Sequence, residues 1–336
     1  MFTCNLCSLK KKSMACDRLS LLICFNNLSV TGKISRSRVV LAASLLFGVS
    51  MQVILSRKGF DSQYGGIASP ILPDGRLLPL PIPSSHDEAT LADLSYSDID
   101  MAQVIADLSG GKHSLATRVH MDPDLGRTNS ARLPGWRPSL GQSGAAQSHL
   151  NRRGVGASDI FLFFGWFRQA ECVKGRWRFA RAAQDLHVLF GWLEVDEVLS
   201  IVTERKHTLA LHPWTASHPH VASPTWYDDE RNTLYIARSR SAFAPHKASG
   251  GGHFQKMRPE LQLTKPGCSR SIWSLPAWFA PDGRPPLSYH PKPESWVRED
   301  GAVTLRSAAK GQEFVLDGDV YPELESWAGN LIKENA

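Results

Sequence analysis

Cysteine is nearly absent from most of this chain. Of six cysteines, Cys4, Cys7, Cys16 and Cys24 crowd the first fifty residues, and only Cys172 and Cys268 follow. Two lone thiols cannot build a disulfide framework, and the usage is that of a reduced, cytoplasmic protein. The CxxC at Cys4 and Cys7 has no second pair at zinc-ligand spacing and no nearby His, which argues against a zinc site. Long apolar runs are missing too. Residues 39–50 (VVLAASLLFGVS) fall short of the roughly 20 residues that span a bilayer. They also lie too far from the N-terminus, and lack the cleavage pattern, for a signal peptide. No Walker loop, dinucleotide fingerprint, paired-cysteine deaminase pattern or nucleophile elbow occurs, so those chemistries have no sequence support.

An excess of basic charge is absent from the body as well. Of 38 Lys and Arg, seven lie in residues 1–50, beside one of the 32 acids, Asp17. The rest of the chain therefore holds 31 of each sign, and the whole +6 sits in the leader. A basic stripe for autonomous duplex binding is not there. The expected organisation is a basic leader over 1–50, disordered or a mis-assigned start, and a single domain over 51–336 that opens at Met51 with QVILSR.

What is present begins with residues 53–83, VILSRKGFDSQYGGIASPILPDGRLLPLPIP. Val53, Ile54 and Leu55 suit a buried strand. Arg57, Lys58 and Asp61 follow at once, and Gly59, Gly65 and Gly66 let the backbone turn and approach a ligand. Cations and free N–H groups at a strand end suit a phosphate or polar sugar, while a plain glycine turn explains the same residues. Residues 99–108 have helical spacing and stop at Gly110 and Gly111. Residues 118–125, RVHMDPDL, read as a strand ending in a charged turn. Residues 159–168 and 187–195 are dense in aromatic and β-branched side chains and are expected as adjacent central strands. Each carries Phe-Gly-Trp, where glycine suggests a bulge or a close approach. Shorter strands are expected at 177–179, 233–237, 303–305 and 314–316. Residues 126–156 are the one plausible internal linker. Val320, Leu324, Trp327 and Leu331 mark one face of a C-terminal amphipathic helix. Strands outnumber helices without regular alternation, which indicates an α+β fold: a mixed, strand-rich central sheet or partly open barrel with peripheral helices.

Four groups of residues could carry chemistry. His120, Asp122 and Asp124 alternate along an extended segment, so an imidazole and two carboxylates can share a face as catalytic groups or as ligands for Mg²⁺ or Mn²⁺. An Asp-Pro-Asp turn is the structural alternative. His212 with Pro213 and Trp214, and His218 with Pro219 and His220, can ligate a metal or contact phosphate, or simply occupy loops. Gln142, Gln147 and His149 sit among small residues, and an amide reads a base edge with both a donor and an acceptor. A polar loop entering a helix is the alternative. Trp273, Trp278 and Phe279 could stack a base, though core packing suits them equally.

Several long segments also agree, in order, with one family: ILSRKGFDSQYGG with SPILPDGRLLPLPIP, HMDPDL, GWRPSLGQSGAAQSHL, FLFFGWFR with HVLFGWLEV, HPHV, NTLYIA, LQLTKPGCSRSIWSLPAWF and GQEFVLD. Together they resemble the third of the nucleotide modification associated domain families, described as DNA base hypermodification proteins. The resemblance covers the chain from about Met51 onward. It implies a role in modifying DNA bases, or in preparing modified nucleotides, in phage and bacterial pathways, and brings no settled catalytic set. Arg57, Lys58, Asp61, His120, Asp122, Asp124, Gln142, Gln147, His218, His220 and Glu313 match its motifs. The expected function is an enzyme acting on a nucleotide or DNA base, beside other DNA-modification enzymes and away from membranes. In it Arg57 and Lys58 hold phosphate, Gly65 and Gly66 admit the ligand, Gln142 and Gln147 read the base, and Asp61, His120, Asp122 and Asp124 supply acid–base or metal chemistry. A module that reads modified bases without altering them, and a structural partner in a modification complex, are the alternatives.

Overall fold

Two segments of continuous apolar and aromatic sequence set the centre of the fold. The computed structural model describes residues 51–94, 96, 98–126, 131–246 and 249–336. The leader with its four cysteines and apolar run lies outside the described residues. In chain order the strands are β1 (Gln52–Arg57), β2 (Ser69–Ile71), β3 (Ser139–Gln142), β4 (Ile160–Val173), β5 (Arg176–Phe179), β6 (Leu186–Ser200), β7 (Thr233–Ala237), β8 (Gly251–His253), β9 (Ile272–Pro276), β10 (Trp296–Glu299), β11 (Ala302–Arg306) and β12 (Glu313–Asp317). The helices are α1 (Met101–Ser109), α2 (Gly144–Arg153), α3 (Ile201–Leu211), α4 (Pro219–Ala222), α5 (Pro224–Tyr227) and α6 (Glu323–Asn335).

Nine strands form one mixed sheet along the path β12–β1–β4–β6–β7–β3, with β2 and β5 pairing β4 and β8 pairing β6. β1 and β2 run parallel to β4, and the other pairings are antiparallel. β10, β11 and β9 make a separate three-stranded sheet. The fold is α+β, and its central sheet is open, with β12 and β3 at the two ends of the path. Residues 160–165 of β4 are buried without alternation, so both faces of the sheet are covered there. Phe164 is met edge-on by Trp273 at 5.1 Å and stacks near Phe314 at 6.1 Å. That joins the smaller sheet and β12 to the same core. Trp278 stacks on Phe279 at 4.2 Å and Trp327 of α6 meets Phe279 edge-on at 5.1 Å, so these aromatics pack the interior.

The repeated Phe-Gly-Trp has a clear role. Phe163 faces Gly191 and Phe164 faces Leu189, leaving Phe190 as the extra residue of a bulge. Across the strand, a Cβ at Gly165 would stand 2.8 Å from the Lys58 carbonyl oxygen. Lys58 N donates to Phe164 O at 2.8 Å. Only glycine lets the chain leaving β1 lie this close, which fixes where Lys58 emerges.

Three expectations are corrected. Residues 118–125 form isolated bridges (Arg118 with Thr90, Val119 with Pro83, Asp124 with Ser139) and no strand. Pro123 has no N–H to continue a ladder there. Residues 126–156 are not a linker, because β3 and α2 lie within them and β3 is a sheet strand. Val320 precedes α6, whose buried face is Leu324, Ala328, Leu331 and Ile332. The helix at 99–108 is α1, capped by Asp100, whose carboxylate accepts from Gln103 N, and closed by left-handed Gly110. No described helix is long and apolar enough to cross a membrane.

His187, buried in β6, accepts a hydrogen bond at Nδ1 from Trp273 Nε1 (3.0 Å). Burial, reinforced by the Arg57 and Arg270 guanidiniums, holds its imidazole well below the ordinary value. The unfolded chain takes up this proton near pH 6.5 and the folded chain resists it, so stability is present at neutral pH and lost as pH falls below about 6.5. We expect urea midpoints to drop between about pH 7.5 and 5, and His187→Gln to flatten that slope while keeping an acceptor for Trp273. An unchanged slope would refute the assignment.

Candidate functional site

One end of the sheet gathers the chemistry. Lys58 follows β1, Glu313 opens β12, Gly141 and Gln142 close β3, and Asn232 precedes β7. Although β12 and β3 end the sheet path, Gln142 Nε2 donates to Glu313 Oε1 at 2.6 Å. The sheet thus curls until its two ends meet through side chains. His218 and Pro219 start α4, which sets His218 and His220 against β3. A Cβ at Gly141 would lie 2.2 Å from His220 Cγ, so glycine is required for the ring to sit there.

His120 and His220 face each other, Nε2 to Nε2, at 3.2 Å. Each ring is held from behind. His120 Nδ1 lies 3.0 Å from Asp87 Oδ2 and His220 Nδ1 lies 2.7 Å from Asn232 Oδ1. Asn232 Nδ2 donates to His220 O at 2.7 Å, which fixes the amide with its oxygen toward the ring. Asp87 is drawn below the ordinary carboxylate range: burial pushes it up, but His120 outweighs that. An ionised carboxylate and an amide oxygen only accept, so both Nδ1 atoms carry the proton. Burial pushes His220 down to about 3; Asp122 opposes the fall, and His120 and His218 add to it. The neutral His220 ring therefore turns a bare Nε2 lone pair toward His120.

Asp122 completes the cluster. His120, Asp122 and His220 are all buried, with one ligand atom from each within 4.8 Å of the others. Gly141 N donates to Asp122 Oδ1 at 2.6 Å, and His218 Nε2 stands 3.4 Å from the same oxygen, without hydrogen-bond alignment. Lys58 Nζ lies 3.7 Å from Asp122 Oδ2 and 3.6 Å from Glu313 Oε1. Burial pushes the Asp122 carboxyl up, yet His218, the Lys58 ammonium and His220 hold it well below the usual range. Glu313 goes the other way, raised by burial and only partly offset by Lys58, Ser56 and Gln142. Its Oε1 accepts from Ser56 Oγ (3.0 Å), and its Oε2 is buried without a partner.

A narrow cleft of about 40 Å³, partly open to solvent, reaches this cluster. Lys58, Asp122, Asp124 and His253 line it among Pro79, Leu80, Pro81, Leu94, Tyr96, Leu125 and Phe190. An apolar slot with few convergent polar groups has the composition of a small-molecule site.

Of the residues singled out from sequence, Lys58, His120, Asp122, Gln142, His218, His220 and Glu313 converge here. The remaining ones make other contacts. Arg57 donates to the carbonyls of Ala308 (2.8 Å) and Ala309 (3.0 Å). Asp61 Oδ1 accepts from Gln63 N and Tyr64 N, both at 2.7 Å, and its carbonyl from Gly66 N at 2.9 Å, closing a local turn. The Gly65 carbonyl accepts from His113 Nε2 at 2.7 Å. Asp124 pairs with Arg132 at 2.7 Å and accepts from Trp136 Nε1 at 3.2 Å. Gln147 bonds Asn151 and Tyr235, His149 bonds Ser288, and His212 pairs with Glu197. Nothing along the sequence marked Asp87 or Trp226, and Gly141 and Asn232 stood out only as members of longer segments; their roles arise from contacts across the fold.

The model of nucleotide modification associated domain 3 matches residues 52–317. The chain belongs to that family. No curated protein and no solved structure matches it. The matched span contains every residue of the cluster.

Gly141→Ala should push His220 out of register and cost about 1–3 kcal/mol, as overpacking does. Chemical denaturation measures the loss, and faster modification of His220 by diethyl pyrocarbonate reports the displaced ring. A variant with native stability and native His220 protection would count against this packing.

Proposed function

We propose that this protein is an enzyme of a DNA-modification pathway that acts on a nucleobase, free or carried on a nucleotide or DNA strand, in the cleft above Lys58 and Asp122. One observation carries the reading: Asp122 lines the cleft beside Lys58, its Oδ2 3.7 Å from the ammonium, and belongs at the same time to the buried histidine cluster, with His218 near Oδ1. A ligand in the slot would touch a group wired to three imidazoles. The apolar lining suits a planar ring, and Lys58 is already paired with Asp122 and Glu313, which disfavours a phosphate there. Membership of a nucleotide-modification family supports the same substrate class.

In this reading the Lys58 ammonium, steadied by Glu313, donates to a carbonyl or ring nitrogen of the base. Asp122, ionised and backed by His218, accepts a hydrogen bond from the base and orients it. Gln142 acts through Glu313, holding the lysine's partner in place. Arg57, with both terminal nitrogens bound to carbonyls, braces the chain. The balanced charge of residues 51–336 favours a free nucleotide or a base presented by a partner enzyme, because tight unaided duplex binding draws on many phosphate contacts. The aromatic side chains of Tyr96 and Phe190 in the walls give a second reading, a module that holds a modified base without altering it.

The test is mass spectrometry of nucleosides from DNA of a host carrying the gene and its neighbours, with the gene intact, deleted, or encoding Asp122→Asn or Lys58→Met. An unusual nucleoside should vanish, or its precursor accumulate, in the deletion and in both variants, with the variant proteins folded and present. An unchanged nucleoside profile on deletion would remove the biosynthetic reading and leave the binding module.

A further inference from the structure

The facing imidazoles raise a question of charge that the acid–base reading leaves open. Two bare Nε2 lone pairs 3.2 Å apart repel unless something positive lies between or beside them. That can be a proton, making one ring an imidazolium, or a metal ion. We propose that His120 Nε2, His220 Nε2 and an Asp122 carboxylate oxygen hold one first-row transition-metal ion, with Asp87 and Asn232 as outer partners. The inference shares Asp122 with the proposed function and does not rest on it.

Geometry carries the argument. Two nitrogens bound to one ion at about 2.0–2.1 Å stand about 2.9–3.4 Å apart for right-angle to tetrahedral coordination. The observed 3.2 Å falls inside that interval. The backs of both rings are engaged as in metal sites, where the second ring N–H donates to a carboxylate or a carbonyl-type oxygen and so fixes which nitrogen is free. Asp87 does this for His120, and the Asn232 amide does it for His220. Trp226 roofs the pair, 4.8 Å from His120 and stacked 5.5 Å from His220, and donates Nε1 to Asp87 Oδ1 at 3.3 Å. It shields the two nitrogens and steadies the outer carboxylate.

The donor set also selects the ion. Two imidazoles and one carboxylate suit Fe²⁺, Mn²⁺, Co²⁺ or Zn²⁺, whereas Mg²⁺ prefers oxygen ligands and its own waters. Asp124, spent on Arg132, supplies no second oxygen. His218 stays outside the ligand set. Its Nδ1 accepts from His220 N at 3.3 Å, so its proton is on Nε2, 3.4 Å from Asp122 Oδ1. Three protein ligands leave coordination positions for water or substrate, and Asp122 turns the centre toward the cleft.

Full-length, tag-free protein stripped with chelator and dialysed should take up one equivalent of Co²⁺ or Zn²⁺ in isothermal titration. Mg²⁺ should bind at least about 100-fold more weakly. Bound Co²⁺ should show ligand-field absorption and quench Trp226, the quenching being lost in Trp226→Phe. His120→Gln with His220→Gln should abolish uptake. Asp87→Asn, outside the ligand set, should weaken it about 10–100-fold with unchanged circular dichroism, which keeps the test open if the double variant misfolds. No stoichiometric uptake by the native protein would overturn the proposal in favour of a proton-bridged pair. Uptake unaffected by both Asp87→Asn and the double variant would overturn it in favour of another site. Metal uptake with an unchanged nucleoside profile would refute the base-modifying reading alone.

Discussion

Burying the Asp122 carboxylate is the constraint on which the functional end of this molecule depends. An isolated charge at that depth would cost far more than one residue's packing returns, so the surrounding fold is organised to compensate it. The ammonium of Lys58, the N–H of Gly141 and the imidazole of His218 surround it, each from a different part of the chain. Removing any one leaves the carboxylate short of a partner. Lys58 is itself half-buried and leans on Glu313, and Glu313 leans on Ser56 and Gln142. Charge compensation therefore passes from the loop after β1 to β12, and from there to β3.

This chain of contacts explains why the sheet curls. β12 and β3 lie at opposite ends of the strand path, and backbone pairing does not close them, yet Gln142 and Glu313 meet. An open sheet with its ends drawn together at one side offers a cleft lined by both polar and core-like side chains. The bulge at Phe190 and the bare Gly165 set the path of the residues that line it. Structure and chemistry meet at Lys58, whose backbone is clamped to β4 and whose side chain faces the cluster.

Much of the architecture was legible along the chain. Runs such as IFLFFGWF admit little but a fully buried strand, and Asp100 with Gly110 bracket α1 by local capping chemistry. The segment RVHMDPDL was less transparent, since its alternation looks like a strand while its proline and its partners keep it irregular. For the site, His120 and Asp122 stood out because their spacing is local. Asp124 has the same spacing, and a cation eight residues away, Arg132, claims it instead. His220, a hundred residues from His120, joins the cluster through α4, and Asp87 and Asn232 are ordinary polar residues until the fold aims them at ring nitrogens.

The sequence by itself determined the α+β class, the two central strands, the neutral balance of residues 51–336 and the family, because composition, periodicity and long matched segments are properties of neighbours along the chain. Tertiary structure alone decided which of several plausible polar residues share a site, which nitrogen of each histidine is free, and that Arg57 braces the distant Ala308–Ala309 backbone while Asp61 closes a local turn. Those outcomes depend on distances between residues far apart in sequence, and hydrogen bonds and ion pairs act only over a few ångströms.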